Sequence, residues 1–323
     1  MRCFALAEEL IKNKNICYFL SNIDNKNIYE KIVKSTIKIQ RMSFTPKQDR
    51  DIKYLLDFSN SNDVDWVVTD HYDINSGYIQ KIKDDGFKVL SIDDTSQTYY
   101  SSDLVVNQNV GYERLEFHTD NTTSLLLGPK YVMIRDELLR RDEKKFRKHV
   151  EKILITLGGS DNNNLTINIL KILKEIINKN IEIIVVFSPL NKINDEFQSK
   201  ISTLDNSNFR FLFSPKNIAD LYIESDLAVS AGGSSCYELA YFGIPNMIIT
   251  VADNQLNVAK ELDKNNVSIY LGRKEELTSR IIEQNILRLI NDSSRRKKMV
   301  ENGMSLIDGK GKQRIIEAMN NFK

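Results

Sequence analysis

Glycine, serine and glutamate fall at a telling spacing between Asp226 and Thr250, in the stretch DLAVSAGGSSCYELAYFGIPNMIIT. The apolar run Leu227 to Ser230 reads as a strand, Gly232, Gly233, Ser234 and Ser235 as a turn, and the residues after it as a short helix opened by Ser234 or Ser235. A second apolar strand follows Gly243 and Pro245. Glycines let a backbone come close to a ligand, and the first N–H groups of a helix have no partner inside it. An anion such as a phosphate is the natural guest of that arrangement. Glu238, one turn into the helix, is a poor phosphate ligand but a good acceptor for a pair of sugar hydroxyls. Phosphate at the turn and ribose beside Glu238 together suggest a nucleotide. The same residues also suit a tight crossover whose glycines only permit packing and whose glutamate faces water, and short glycine-rich motifs do not separate the two readings.

Other polar residues collect just after apolar runs. In the first half these are Thr69, Asp70, His71 and Tyr72, then Asp93 and Asp94, then Asn107, Gln108 and Asn109. The C-terminal ends of strands line the ligand crevice of an open parallel sheet, so three such groups together point to a site. His71 alone would read as a structural histidine. In the second half, Gly158, Gly159, Ser160 and Asp161 follow the strand KILITL and precede the helix NLTINILKILKEIINKN. Asp253, Asn254 and Gln255 follow MIIT and open another helix, where amide and backbone donors suit a diphosphate or a sugar. The acids of Asp63 to Asp65 precede their strand instead of following it, which makes them a solvated turn and not a metal-binding pair. No cofactor is called for. Neither half places G-x-G-x-x-G directly after its first complete strand with an acid about 20 residues on, and there is no G-x-x-x-x-G-K-[ST].

The elements that must position these residues alternate along the chain. MRCFALAEELIKNKN has helical spacing from residue 1, with no residue ahead of it to act as a cap. Strands are expected within 16–22, 65–73, 87–95 and 102–111, and again within 152–158, 181–189 and 208–215, with helical patterns between them. That alternation argues for parallel sheets covered on both faces. With 323 residues, 41% of them hydrophobic, two domains are expected, 1–148 and 149–323. Residues 125–149 read as the connection between them, broken at Gly128-Pro129 and ending in a solvated, charge-rich helix. The 45 basic and 44 acidic residues balance, so no overall field recruits nucleic acid. No apolar run is long enough to span a bilayer and no signal-peptide pattern opens the chain, which argues against membrane insertion and for a cytoplasmic protein. Cys3, Cys17 and Cys236 form no spaced pair and read as reduced, buried thiols. His118 and His149 lie in polar surroundings and carry no assigned role.

The stretch GGSSCYELAYFGIPNMIITVADNQLNVAKEL resembles the nucleotide-binding region of GT-B-fold proteins, a group that includes the lipid-linked GlcNAc transferase of peptidoglycan synthesis. A fuller resemblance runs from residue 1 to about 262. WVVTDHY, KVLSIDDT, DLVVNQN, LLLGPKYVMIRDEL and ILITLGGSD stand in the order found in the UDP-2,4-diacetamido-2,4,6-trideoxy-β-L-altropyranose hydrolase family of pseudaminic acid synthesis and its spore-coat polysaccharide relatives. The resemblance implies an α/β protein of GT-B type, with two Rossmann-like domains facing a cleft and UDP held mainly by the second. By carry-over, Glu238 takes the uridine ribose. Ser234 and Ser235, with Gly232 and Gly233, take phosphate, and Gly159, Ser160, Asn254 and Gln255 take the diphosphate and sugar. Asp70, His71 and Tyr72, with Asn107 and Asn109, face a UDP-linked amino sugar from the first domain. Members of the family open with a strand, a glycine-rich loop and a Gly-His-x-x-Arg motif whose histidine resembles a general base. Met1-Arg2-Cys3 aligns with the end of that motif, so the first strand and the base are expected upstream of Met1. The implied reaction is hydrolysis that releases UDP, with transfer to an acceptor sugar, or sugar-nucleotide binding without turnover, as the alternatives.

Overall fold

The computed structural model describes residues 1–22, 26–43, 45–46, 48–158, 164–188, 191, 195–204 and 208–322. Gly159, Ser160 and Asp161 therefore lie outside the described residues. The chain divides into two compact units, Met1–Asp136 with Gly309–Lys323, and Glu137–Asp308. The boundary falls earlier than the expected 148/149, and the C-terminal segment belongs to the first unit.

The first unit opens on α1 (Arg2–Lys12), which has no side-chain cap at Met1. Its apolar positions serve two clusters: Phe4 and Ala7 pack with Ile32 and Ile37, and Ala5 and Leu6 pack with Leu90, Leu104 and Val106. The strands β1 (Tyr18–Ser21) and β2 (Lys38–Arg41) flank α2 (Lys26–Val33) and pair in parallel. The polar span that follows contains a helix not expected from the sequence, α3 (Asp49–Ser61). Its first turn holds Asp49 and Asp51, favourable at a helix N-terminus, and only a narrow stripe of Ile52, Leu55 and Leu56 meets the core.

Next come β3 (Trp66–Thr69), α4 (Ser76–Asp84), β4 (Lys88–Ile92), the short β5 (Tyr99–Tyr100), β6 (Leu104–Asn107), the short β7 (His118–Thr119) and β8 (Ser124–Leu127). Asn75 starts α4 by accepting the Tyr78 amide at 3.0 Å. The order β3-β4-β6-β8 is parallel throughout. Residues expected to begin an interdomain connection thus form a strand instead; β8 is half-exposed and shows no alternation, so periodicity does not reveal it.

The second unit carries β9 (Lys152–Thr156), α5 (Asn164–Ile176), β10 (Glu182–Phe187), α6 (Asp195–Thr203), β11 (Phe209–Phe213), α7 (Ile218–Glu224), β12 (Leu227–Ala231), α8 (Ser235–Tyr241), β13 (Asn246–Thr250), α9 (Leu256–Lys264), β14 (Ser268–Arg273), α10 (Ser279–Asn291) and α11 (Ser293–Leu306). The sheet order is β11-β10-β9-β12-β13-β14, all parallel. Counted from β9, that is 3-2-1-4-5-6, the Rossmann order, with its reversal between β9 and β12. Continuous apolar runs such as Ile153, Leu154 and Ile155, or Met247, Ile248 and Ile249, are fully buried because helices cover both faces.

The charge run before β9 is not a solvated helix. Two short 3-10 turns, Asp136–Leu138 and Arg141–Glu143, give way to extended chain whose cations hold helix ends. Lys144 Nζ donates to the carbonyls of Ile223 and Ser225. Arg147 donates to the carbonyl of Glu224 at 2.9 Å and to Asp226 at 3.0 Å, and Arg141 reaches the carbonyls of Met304 and Ile307. The C-terminal carbonyls of α7 and α11 lack partners within their helices and carry partial negative charge, so basic residues dock there. Burial pushes the Lys144 ammonium down to about 8.

The last helix, α12 (Gly311–Asn321), returns to the first unit. Ile315, Ile316 and Met319 join the cluster around Ala5 and Leu6. Each such side chain is worth roughly 1.5–3 kcal/mol of burial. Lys312, with no exposed surface, donates to Asp136 at 2.6 Å and lies 3.7 Å from Glu9. Lys12 also reaches Asp136, at 2.9 Å. Burial alone would raise the Asp136 carboxyl, but the bonds from Lys312 and Lys12 outweigh it and hold the group below its ordinary value. Among the described residues no helix is long and apolar enough to cross a membrane.

Candidate functional site

In the second unit three loops leave the C-terminal ends of β9, β12 and β13, the first two on either side of the point where strand order reverses. Gly158 begins the β9 loop in the left-handed region, φ 69°. Its carbonyl accepts Asn191 Nδ2 at 3.2 Å. The expected contacts of Gly159 and Ser160 fall outside the described residues.

The two glycines after β12 do different jobs. A Cβ on Gly232 would sit 2.8 Å from Gln255 Cβ, so packing requires glycine there. A Cβ on Gly233 would meet nothing within 4 Å, and the residue has no left-handed φ. The fold leaves Gly233 open to substitution, which is what a backbone kept bare for a ligand would show. Ser234 is the exposed N-cap of α8 and makes no side-chain cap bond. Ser235 is half-buried. The helix start is less rich in free donors than the sequence suggests, because the amides of Cys236 and Tyr237 turn back onto the carbonyls of Gly233 and Ser234 at 3.0 and 3.1 Å.

Glu238 is half-buried, not on a solvated face, and its Oε2 accepts from the Tyr222 hydroxyl at 2.9 Å. Under the loop, Asn246 Nδ2 donates to Ser230 Oγ at 2.8 Å and the Cys236 thiol donates to the Ala231 carbonyl at 3.1 Å. Burial pushes that thiol up to about 12. Gln255 turns its side-chain oxygen to backbone. Its Oε1 accepts the amides of Gly232 at 3.3 Å and Val251 at 3.0 Å, tying the β12 loop to the end of β13. Asn254 beside it is exposed, and Asp253 pairs with Arg273 at 2.5 Å.

In the first unit the loops after β3, β4 and β6 bring Asp70, Tyr72, Asp94 and Asn109 together around Arg2. Arg2 donates to both carboxylate oxygens of Asp70, at 3.0 and 2.6 Å, and to Asp94 Oδ1 at 2.6 Å. Asp94 also accepts from Asn109 Nδ2 at 3.1 Å and from the Tyr72 hydroxyl at 3.2 Å. The Cys3 thiol donates to Asp70 at 3.1 Å. Burial would raise the Asp70 carboxyl, yet Arg2 and Cys3 hold it below its ordinary value. Arg2 contributes +1 and the two aspartates −2, so this cluster of donors and acceptors carries −1 and disfavours a phosphate.

Asn107 and His71 each accept a nearby backbone amide. Asn107 is fully buried and its Oδ1 accepts the Asn109 amide at 2.9 Å, so it braces the loop. His71 accepts the Asp73 amide on Nδ1 at 3.1 Å. A neutral ring then carries its proton on Nε2 and offers a donor there. The pairing of Arg2 with Asp70 and Asp94, and of Tyr222 with Glu238, is not evident from the sequence. Arg2 lies 68 positions from Asp70, and no local spacing links them. Among the described residues no group of three or more His, Cys, Asp or Glu could hold a metal.

The chain is 28% identical over 269 residues to the uncharacterized protein MJ1062 of Methanocaldococcus jannaschii, covering 79% of this chain and 52% of that one. It is 23% identical over 274 residues to the spore coat polysaccharide biosynthesis protein SpsG of Bacillus subtilis, covering 84% and 80%. It is also 25% identical over 252 residues to a Helicobacter pylori protein named pseudaminic acid cytidylyltransferase and UDP-2,4-diacetamido-2,4,6-trideoxy-beta-L-altropyranose hydrolase, covering 76% and 45%. The chain spans about half the length of MJ1062 and under half of the Helicobacter relative. Its fold is of GT-B type, similar to MurG of Acinetobacter baumannii with a TM-score of 0.67 over 99% of this chain and 95% of that one, at 14% identity. Residues 152–318, from the first residue of β9 into α12, match the family described as Glycosyltransferase family 28 C-terminal domain. That match takes in just over half of the chain, and the protein belongs to the glycosyltransferase family 28 C-terminal domain family.

Proposed function

We propose that the chain binds a UDP-linked amino sugar and hydrolyses it to free sugar and UDP, as a step in nonulosonic acid or surface polysaccharide synthesis. The observation that carries the reading is Gly233, a glycine the fold does not need, set between β12 and the half-buried Glu238. In this reading Glu238 accepts the ribose hydroxyls. The backbone at Gly233, with Ser234, Ser235, Gly159 and Ser160, takes the diphosphate, helped by Asn254. Gln255 acts by holding the loop. Asp70, Tyr72, Asp94 and Asn109 offer the donors and acceptors that a neutral acetamido-hexose requires, braced by Asn107. The Helicobacter and Bacillus relatives, by their names, support the sugar class and the pathway.

Water attacks the anomeric carbon as its bond to the diphosphate oxygen breaks, and UDP departs with the bonding electrons. Charge growing on that oxygen is met by fixed amides, which need no reorganisation at the moment of reaction. The attacking water gives up its proton to solvent, and His71, a donor in its present setting, assists by hydrogen bonding.

A second reading is transfer to a sugar acceptor, favoured by the family 28 match. Incubation with a UDP-2,4-diacetamido-trideoxyhexose in H2¹⁸O, with no acceptor, separates the two. The expected result is UDP release with ¹⁸O in the free sugar and none in UDP. Release of UDP only after an acceptor is added would replace hydrolysis with transfer.

A further inference from the structure

We infer that Tyr222 is a positioning residue, whose hydroxyl orients the Glu238 carboxylate and thereby sets discrimination between ribose and 2′-deoxyribose. The inference rests on the reading of Glu238 as the ribose acceptor. Tyr222 lies on α7, is 2% exposed, and packs edge-to-face on Phe242 with ring centroids 5.4 Å apart. The helix that carries it is itself anchored. Asn217 caps its start by accepting the Asp220 amide, Ala219 and Leu221 are buried, and the Ser225 hydroxyl donates to the Leu221 carbonyl at 2.6 Å.

A buried tyrosine hydroxyl must find a partner, and here it donates to Glu238 Oε2 at 2.9 Å. A glutamate has three rotatable side-chain bonds, so without an anchor its carboxylate would spread over several rotamers. The charge-assisted bond from a rigid ring removes that spread. A carboxylate offers about four acceptor sites, of which the Tyr222 hydroxyl takes one on Oε2. A vicinal diol needs two acceptors in one plane at one orientation, whereas a single hydroxyl tolerates a looser acid. Fixing the plane is therefore what converts Glu238 from an acceptor of any sugar hydroxyl into a reader of two.

The test is calorimetric titration of the full chain with UDP and with 2′-deoxy-UDP. The parent chain should prefer UDP. Tyr222→Phe keeps the ring and should weaken UDP by about 5- to 10-fold, with a smaller loss for 2′-deoxy-UDP, so that the ratio of the two affinities falls toward one. In a Glu238→Gln background, Tyr222→Phe should lower the ratio no further, because the two residues act as a unit. Equal losses for both nucleotides, or a Tm drop of more than about 10 °C, would make Tyr222 a core residue and overturn the inference. If Glu238→Gln collapses the ratio while Tyr222→Phe preserves it, the positioning role alone falls. If Glu238→Gln also preserves the ratio, the ribose reading of Glu238 falls and takes the inference with it.

Discussion

Replacing Glu238 with glutamine should weaken UDP binding by about a hundredfold while leaving Tm within about 4 °C of the parent. The size follows from two hydrogen bonds to an ionised acceptor, each worth roughly 1.5 kcal/mol, against about 1.4 kcal/mol per factor of ten. The small stability change follows from shape. Glutamine fills the same half-buried volume, and its amide oxygen still accepts the Tyr222 hydroxyl. Calorimetric titration with UDP beside thermal melting gives both numbers. Gly233→Ala belongs in the same titration. Its Cβ meets open space, so Tm should hold while affinity falls. A loop that tolerates alanine with full affinity is not approached by the nucleotide.

Gly311→Ala should lower the Tm of the first unit by roughly 10 °C, equivalent to a loss of about 3–5 kcal/mol. The added Cβ would lie 2.2 Å from the Val132 carbonyl oxygen and 2.5 Å from the Tyr131 carbonyl carbon, and backbone atoms cannot step aside as a flexible side chain can. To relieve the clash, α12 must lift from Pro129–Tyr131. That movement draws Lys312 away from Asp136 and leaves a buried ammonium and a carboxylate underpaired. It also opens the contact of Ile315, Ile316 and Met319 with Ala5 and Leu6. Thermal unfolding of Gly311→Ala beside Gly86→Ala checks the expectation. A Cβ on Gly86 would meet nothing within 4 Å, so that variant reports the cost of alanine at a strained φ of 93° without any clash. A Gly311→Ala melt no lower than that of Gly86→Ala would show that α12 accommodates the extra carbon.

How readily each of these causes can be read depends on how far apart in the chain its parts lie. The β12 stretch is legible directly because its strand, turn, helix and second strand are local, and each follows from apolar runs, glycines and Pro245. The same holds for the parallel sheets, since Ile153–Ile155 and Met247–Ile249 are continuous apolar runs of a kind that only burial on both faces sustains. The strap from Asp136 to Val150 escapes such a reading because its cations resemble a water-facing helix in sequence. Their partners, the carbonyls of Ile223, Glu224 and Met304, lie far along the chain. Gly311 and Lys312 are unremarkable in sequence for the same reason, as nothing near them announces Val132 or Asp136. Within the candidate site, Asp70 and Tyr72 are legible as strand-end residues, but Arg2 as their organiser is not. Asn107 and Gln255 are legible as polar groups near a ligand loop. Their turn inward to brace backbone is a matter of packing, which spacing does not report.

The central claim is that the second unit holds the uridine diphosphate. A crystal structure of the chain with UDP tests it most directly. The expected result places both ribose hydroxyls within hydrogen-bonding distance of the Glu238 carboxylate and the diphosphate against the backbone of Gly233 and Ser234. Uridine bound elsewhere, or a ribose that leaves Glu238 untouched, would contradict it.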